Sequence, residues 1–297
     1  MLSNKKYIAA VSAGPDSMYM LHKFSSNIAI VCHVNYHDRE DTNNDERIIR
    51  DFCEQKKIPI FVLDVKENDY INISKKNLQS KYRQIRFDFF EKIANEHNIK
   101  NIMIGHNIDD NIETMYMQLL KEKEPLFYGL KKHGFYNELN IFRPLLNKWK
   151  NNIYLMCIKH KIDFAFDYSN ENLKFYRNYI RSILENIDIR DKQLFINVVN
   201  KYNDGNKNRN KQIQSIYNEW ELQEFNTSYY INIKSTYRNN IVYMYLTKFN
   251  IKKINGNKLK ELNNFILLGK VNGLYRVDLN TAIFKTKSNI KISYNNS

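Results

Sequence analysis

Across residues 7–146, short β-branched runs alternate with amphipathic stretches, and no other feature of the chain limits its fold as tightly. The runs "YIAAV" (7–11), "IAIVCHV" (28–34), "IPIFVLDV" (58–65), "NIMIGH" (101–106) and "IFRPLL" (141–146) have the length and composition of strands. Between them, "SMYMLHKF", "NNDERIIRDFCEQKK", "KNLQSKYRQIRFDFFEKIANEH" and "DNIETMYMQLLKE" carry apolar residues at helical spacing. Such alternation predicts an α/β fold, a parallel sheet of about five strands with helices on both faces. Sheets of this kind bind ligands at the carboxyl ends of their strands. The polar segments "SAGPDS", "NYHDRE" and "HNIDDN" follow the first, second and fourth runs, so they are expected to gather at that end.

Beyond residue 145 the pattern turns helical, in "NKWKNNIYLMCIKHK" and "FYRNYIRSILENI", and "KYNDGNKNRNK" (201–211) reads as a polar hinge. Farther on, "YYINI", "IVYMYLT", "FILLG", "YRVDL", "AIFKT" and "IKISY" read as short strands, with one helix near "GNKLKELNNF". A chain of 297 residues is long enough for more than one core. The expected division is 1–190, a helical linker at 191–225, and a small, mixed, β-rich domain at 226–297.

Lys and Arg number 46 against 32 Asp and Glu, a formal charge of +14, which favours a polyanionic partner such as nucleic acid. The same excess would follow from AT-rich coding bias. Cys32, Cys53 and Cys157 are odd in number and far apart, so no disulfide framework or C-x-x-C metal site is expected. No apolar stretch approaches the roughly 18 to 20 residues that span a bilayer. "YIAAV" is too short for a signal peptide, so a soluble, cytoplasmic protein without a membrane partner is expected.

The turn "SAGPDS" carries its own chemistry. A loop from a parallel strand into a helix offers unpaired N–H groups and the positive end of the helix dipole to an anion. Gly14 admits close approach of a phosphate, Ser12 and Ser17 donate hydroxyls, and Asp16 suits a magnesium ion lying between carboxylate and phosphate. The alternative is an ordinary turn in which Asp16 or Ser12 caps the helix and Gly14-Pro15 shapes the bend. It is neither a Walker loop nor a dinucleotide fingerprint.

"SAGPDS" resembles the SGGxDS pyrophosphate loop of the PP-loop ATP pyrophosphatases. The later motifs are similar to those of the tRNA(Ile)-lysidine synthase family: "HVNYHDRE" (33–40) to HVNHGLR, "SKYRQIRF" (80–87) to ARxxRY, "GHNIDDNIET" (105–114) to HHxxDDxxET, "RPLL" (143–146), and "DYSNENLKFYRNYIR" (167–181) to D-x-SN…RNxIR. The resemblance covers residues 7–181 and implies an adenine nucleotide alpha hydrolase-like fold. It implies ATP and Mg2+ as cofactors, and free L-lysine and a tRNA(Ile) with a CAU anticodon as partners, with no obligatory protein partner. The implied reaction adenylates carbon 2 of the wobble cytidine, releasing pyrophosphate, and the lysine ε-amine then expels AMP.

Carried over position by position, the resemblance gives Ser12, Ala13, Gly14, Pro15, Asp16 and Ser17 to ATP binding, and Asp16, Asp110, Glu113 and His106 to catalysis. Asp16 and Asp110 would hold Mg2+. Asn35, Arg39, Arg83, Arg143, Arg177, Asn178 and Arg181 would contact phosphate, lysine or tRNA. His106, Asp110 and Glu113 have the spacing to share one face at a helix start, with Asp110 nearest the chemistry. The plainer alternatives are Asp109 or Asp110 as a helix cap, and Arg177 and Arg181 paired with Glu171 or Glu185. Ala13, Tyr36 and Asn107 depart from the family pattern, and Ala13 is harmless unless its position needs a left-handed turn. In 226–297, Tyr229, Tyr230, Tyr237, Tyr243 and Tyr245 interleave with Lys234, Arg238, Lys248, Lys252 and Lys253, as a tRNA-binding surface would. Two rivals remain: another PP-loop activity such as tRNA thiolation, for which the scattered cysteines are poorly placed, and a non-catalytic basic RNA binder, which leaves the acids without a purpose.

Overall fold

The structure, a computed structural model, describes residues 5–37, 42–66, 78–120, 125–165, 176–249, 251, 254, 256–278 and 281–294. The chain divides into two compact units, 1–199 and 200–297, with the boundary inside the helix Ile189–Gly205.

The first unit is built on β1 (Tyr7–Ala10), β2 (Ile28–Asn35), β3 (Ile60–Asp64), β4 (Asn101–Ile104), β5 (His133–Tyr136) and β6 (Leu139–Phe142), in the order β3-β2-β1-β4-β6-β5. β1 pairs parallel with β2 and β4, β2 with β3, and β4 with β6. β5 is antiparallel to β6 and forms the edge of a six-stranded sheet, one strand more than the periodicity suggested. Its sequence, "HGFY", is too short and polar to stand out as a strand; pairing across the turn at Asn137 makes it one.

Alternate residues of each strand feed two cores. Ala9, Val31, Met103 and Phe142 pack with Met18, Leu21, Ile49, Cys53, Ile153 and Cys157, which lie on α1 (Pro15–Phe24), α2 (Thr42–Lys56) and α5 (Lys150–Lys159). Ile8, Ile30, Cys32, Ile102 and Ile141 pack with Phe87, Phe90, Ile93 and Ala94 of α3 (Leu78–Glu96). A strand has period 2, so covering both faces of the sheet makes the runs apolar throughout. Against a smaller third core, α4 (Ile108–Leu120) packs through Ile112 on Ile180 and Leu184 of α6 (Tyr176–Glu185) and Ile196 of α7 (Ile189–Gly205). β1 lies between β2 and β4, so chain order reverses there, and the loops after β1 and β4 open a crevice at the carboxyl end of the sheet.

The second unit corrects the reading of the C-terminal third. "YYINI", "IVYMYLT" and "FILLG" lie in helices α9 (Thr227–Ile231), α10 (Ser235–Lys248) and the end of α11 (Gly256–Leu268). In α10 the buried residues are Ile241, Val242, Tyr245 and Leu246, the one-sided recurrence of a helix, while Tyr243 is 47% exposed. A short apolar run does not separate the two periods by itself. The expected hinge is also helical: α7 runs to Gly205 and α8 (Lys207–Leu222) starts two residues later. The other three runs form the antiparallel sheet β7 (Gly273–Arg276), β8 (Thr281–Lys285) and β9 (Ile290–Tyr294), in that order. Tyr230 and Tyr245 are fully buried beside Trp220, with ring centroids 4.9 and 5.5 Å from it, so they form core and not a stacking surface. Lys252 and Lys253 lie outside the described residues.

Candidate active site

β1 delivers the chain into "SAGPDS", and Pro15 opens α1 with Gly14 as N-cap. No side chain caps this helix. The Ser17 hydroxyl donates instead to the Gly14 carbonyl at 3.0 Å and accepts from the Ser12 N–H at 3.2 Å, which folds the loop over the helix start. The first-turn N–H groups of α1 are therefore left uncapped by any described side chain, the arrangement that suits an anion. Ala13 has φ +61° and is fully buried, so this position is left-handed and its methyl group is strained, the one case excepted above in which the substitution is not harmless.

Gly105, at the end of β4, was not singled out as a site residue, yet it sets the crevice width. A Cβ there would lie 3.2 Å from the Asp16 carbonyl carbon and oxygen and from the Ser17 Cα. Its signal was its place between the fourth strand and "HNIDD". Two residues on, Asn107 is 2% exposed and joins the two loops. Its Oδ1 accepts from the Asp110 N–H, its own N–H donates to Asp110 Oδ2, and its Nδ2 donates to Asp16 Oδ1, each at 3.0 Å. The first two bonds are the reciprocal pair of a capping box at the start of α4. Asp109 performs the other capping role, accepting from the Lys150 N–H at 2.9 Å at the start of α5.

Glu113 is 3% exposed and fully engaged: Arg177 Nε donates to Oε2 and Arg181 Nε to Oε1, both at 2.8 Å. Burial pushes its pKa up, but the two guanidiniums outweigh burial and hold it below the usual carboxylate range. Arg177 also reaches Asp110 Oδ1 at 3.4 Å. The arginines thus pair with α4 rather than with Glu185, and Glu171 lies outside the described residues. Asp110 is shifted up, chiefly by burial, with Arg177 and the Asn107 N–H opposing. Asp16 is raised to about 6, first by burial and then by the nearby Asp110 charge, with the Asn107 bond pulling the other way.

His106 Nδ1 accepts from Arg143 Nε at 3.0 Å, and Arg143 is anchored through Nη1 on the Lys131 carbonyl at 2.8 Å. The His106 pKa is driven well down by burial and by the charges of Arg143, Arg177, Arg86 and Arg83. Arg83 stands over the Phe87 ring at 4.7 Å. Among the described residues no carboxylate pairs with Arg83, Arg86 or Arg143. Asn35 is buried, its Oδ1 accepting from the His37 N–H at 3.0 Å. Asn178 is half-buried on α6, and Arg39 lies outside the described residues.

Ser12, Gly14, Asp16, Ser17, Arg86, Gly105, His106 and Asp110 line one cleft of about 240 Å3, whose inner wall is apolar through Ala10, Cys32, Val34, Phe90 and Ile104. It brings together apolar side chains, an uncapped helix start and a carboxylate pair. Among the described residues no group of three or more His, Cys, Asp and Glu could hold a metal ion. The donors still suit magnesium, which binds one or two carboxylates and takes its other ligands from phosphate and water. Asp16 fits that role, with only one oxygen engaged by Asn107, whereas both oxygens of Asp110 are occupied.

A helix start left open at the switch point of a parallel sheet, with an acid in its first turn, defines a nucleotide-binding α/β domain. The family model described as the PP-loop domain matches residues 2–187. The tRNA(Ile)-lysidine synthase of Malacoplasma penetrans is 39% identical over 97% of this chain and 98% of its own length. That of Ureaplasma parvum is 37% identical over 89% and 80%. Among solved structures, the U34-tRNA thiolase NcsA of Methanococcus maripaludis aligns with TM-score 0.54 at 16% identity, over 68% of this chain and 73% of that one, a likeness of fold. The chain belongs to the tRNA(Ile)-lysidine synthase family, and it is an enzyme.

Proposed function

We propose that this enzyme ligates free L-lysine to the wobble cytidine of a CAU-anticodon tRNA(Ile), with ATP converted to AMP and pyrophosphate. The observation that carries the reading is the joining of the open α1 start to an acid pair through Asn107, within one cleft. The triphosphate would lie on the N–H groups of Gly14, Asp16 and Ser17, with the adenine base against Val34 and Phe90. Mg2+, held by Asp16 and the phosphates, supplies charge neutralisation when bound. Arg86 and Arg143 add positive charge where the adenylation step concentrates negative charge.

The second step needs a neutral amine, though lysine is protonated near pH 7. Asp110 is the group suited to take it: burial raises its affinity for a proton, and its Oδ1 is held only by the long 3.4 Å contact from Arg177, against the two 2.8 Å bonds on Glu113. Glu113 holds Arg177 and Arg181 in place and has no free oxygen for the amine. Arg177, which reaches Asp110 and Glu113 from α6, and its neighbour Asn178 are candidates for the lysine carboxylate. Residues 200–297 hold 16 Lys and Arg against 6 Asp and Glu, so +10 of the +14 lies there, which supports an RNA-binding role for 226–297. Thiolation fits poorly: Cys32, Cys53 and Cys157 are all buried, and burial raises their thiols to about 12, 11 and 11, away from a nucleophilic thiolate. No described helix is long and apolar enough to cross a membrane.

Incubation with ATP, Mg2+, labelled lysine and a CAU-anticodon tRNA(Ile) transcript tests the proposal. ATP-dependent label that stays on the RNA and vanishes when the wobble cytidine is changed is the expected result. Folded, bound tRNA without label would overturn it.

A further inference from the structure

His106 sits where a proton acceptor for the amine would be sought, four residues before Asp110 and on the wall of the cleft. The hydrogen bond behind it decides which chemistry it can perform. Arginine has donors only. A bond of 3.0 Å from Arg143 Nε to His106 Nδ1 therefore requires a lone pair on Nδ1, and the ring proton must then reside on Nε2. Arg143 is itself well fixed. It is 8% exposed, its Nη1 donates to the Lys131 carbonyl at 2.8 Å, its backbone N–H to the Lys132 carbonyl at 2.9 Å, and Gly134 leaves room for the guanidinium.

We propose that Arg143 is a positioning residue that locks His106 in the neutral Nε2–H tautomer, making His106 a hydrogen-bond donor to a phosphate oxygen of the nucleotide and not a base for the amine. This rests on the reading of the cleft as the ATP site. A second proton on the ring would have to displace the Arg143 bond at Nδ1; Asp16 on α1 and Asp110 on α4 also line the cleft, but burial and the cations Arg143 after β6, Arg177 on α6, and Arg83 and Arg86 on α3 outweigh them. The donor is thus set before substrate arrives, as electrostatic catalysis requires. Proton removal falls to Asp110, four residues on in α4.

The test is 15N spectroscopy of the full chain labelled at histidine, with His106 assigned by its loss in H106Q. Between pH 6 and 8 the ring is expected to show an unprotonated Nδ1 and a protonated Nε2, and a non-hydrolysable ATP analogue with Mg2+ is expected to shift the Nε2–H signal. In R143M the single tautomer is expected to give way to a mixture. In lysine ligation, H106Q, whose amide can still donate, is expected to stay within about tenfold of wild type, whereas H106L falls by about a hundredfold or more. An imidazolium or Nδ1–H ring at pH 7 overturns the proposal, as does an Nε2–H signal indifferent to the nucleotide. Both spectra are recorded without tRNA or lysine, so a failure of the ligation reading is distinguishable from a failure of this one.

Discussion

Replacing Asp16 by Asn should make the protein more stable and inactive at once. The Asp16 pKa is raised from 3.8 to about 6, principally by burial. A folded-state pKa above the unfolded value means that the native chain holds its proton longer. Stability from this group is thus complete below 3.8 and declines as pH rises through 6. Integrated over that window, the ionised carboxylate costs the fold roughly 1–2 kcal/mol at pH 5 and about 3 kcal/mol at pH 7.5. Asn does not titrate, and its Oδ1 still accepts from Asn107 Nδ2, a bond of 3.0 Å in the native protein. Urea unfolding followed by circular dichroism should therefore show D16N more stable than wild type, with the gap about twice as large at pH 7.5 as at pH 5. The same variant should lose lysine ligation by about a hundredfold or more while its affinity for tRNA changes little. A gap independent of pH, or a destabilised D16N, would refute the placement of a half-buried, repelled carboxylate at the start of α1.

Four further outcomes are expected. Glu113→Gln leaves Arg177 and Arg181 short of charge in a buried site and should destabilise the protein by about 3 kcal/mol in thermal or urea unfolding. Ala13→Gly relieves a left-handed alanine at about 1 kcal/mol but loses a buried methyl and adds chain entropy, so its stability should stay within about 1 kcal/mol of wild type; Ala13→Val should unfold at markedly lower temperature. Gly105→Ala places a methyl 3.2 Å from the Asp16 backbone, and steady-state kinetics should show kcat/KM for ATP reduced about tenfold with the fold intact by circular dichroism. Lys285 is 7% exposed and donates to the Ile266 and Gly269 carbonyls at the end of α11, so Lys285→Met should cost about 2 kcal/mol, read as earlier urea unfolding.

In the first unit the fold was legible because both faces of the sheet are covered. Ile8 and Ala9 must both be apolar, since one faces α3 and the other α1, and such runs leave little choice but parallel strands between helices. The α4 segment was legible for the complementary reason, a polar start followed by one-sided apolar spacing. In 226–297 the same logic failed. Ile241 to Leu246 is apolar at nearly every position, and whether Tyr243 or Val242 turns inward depends on what packs against it.

The site divides along the same line. Residue types and spacing put polar segments after the first and fourth strands, because strand ends are local properties of the chain, and the family resemblance assigned the loop to ATP and the acids to catalysis; that no side chain caps α1 was visible only in the structure. Which acid is free is not local. Glu113 was expected beside the chemistry, but Arg177 and Arg181 arrive from 64 and 68 residues away and take both its oxygens. Arg143 arrives from 37 residues away and settles where the His106 proton sits. The left-handed turn at Ala13 likewise emerges only when Ala165 donates to its carbonyl at 2.9 Å across the packed core. The sequence by itself determined that the loop after β1 and the carboxylates of α4 gather at one end of the sheet; the tertiary structure decided the charge, tautomer and availability of each group, because those depend on which buried partners distant segments bring within hydrogen-bond reach.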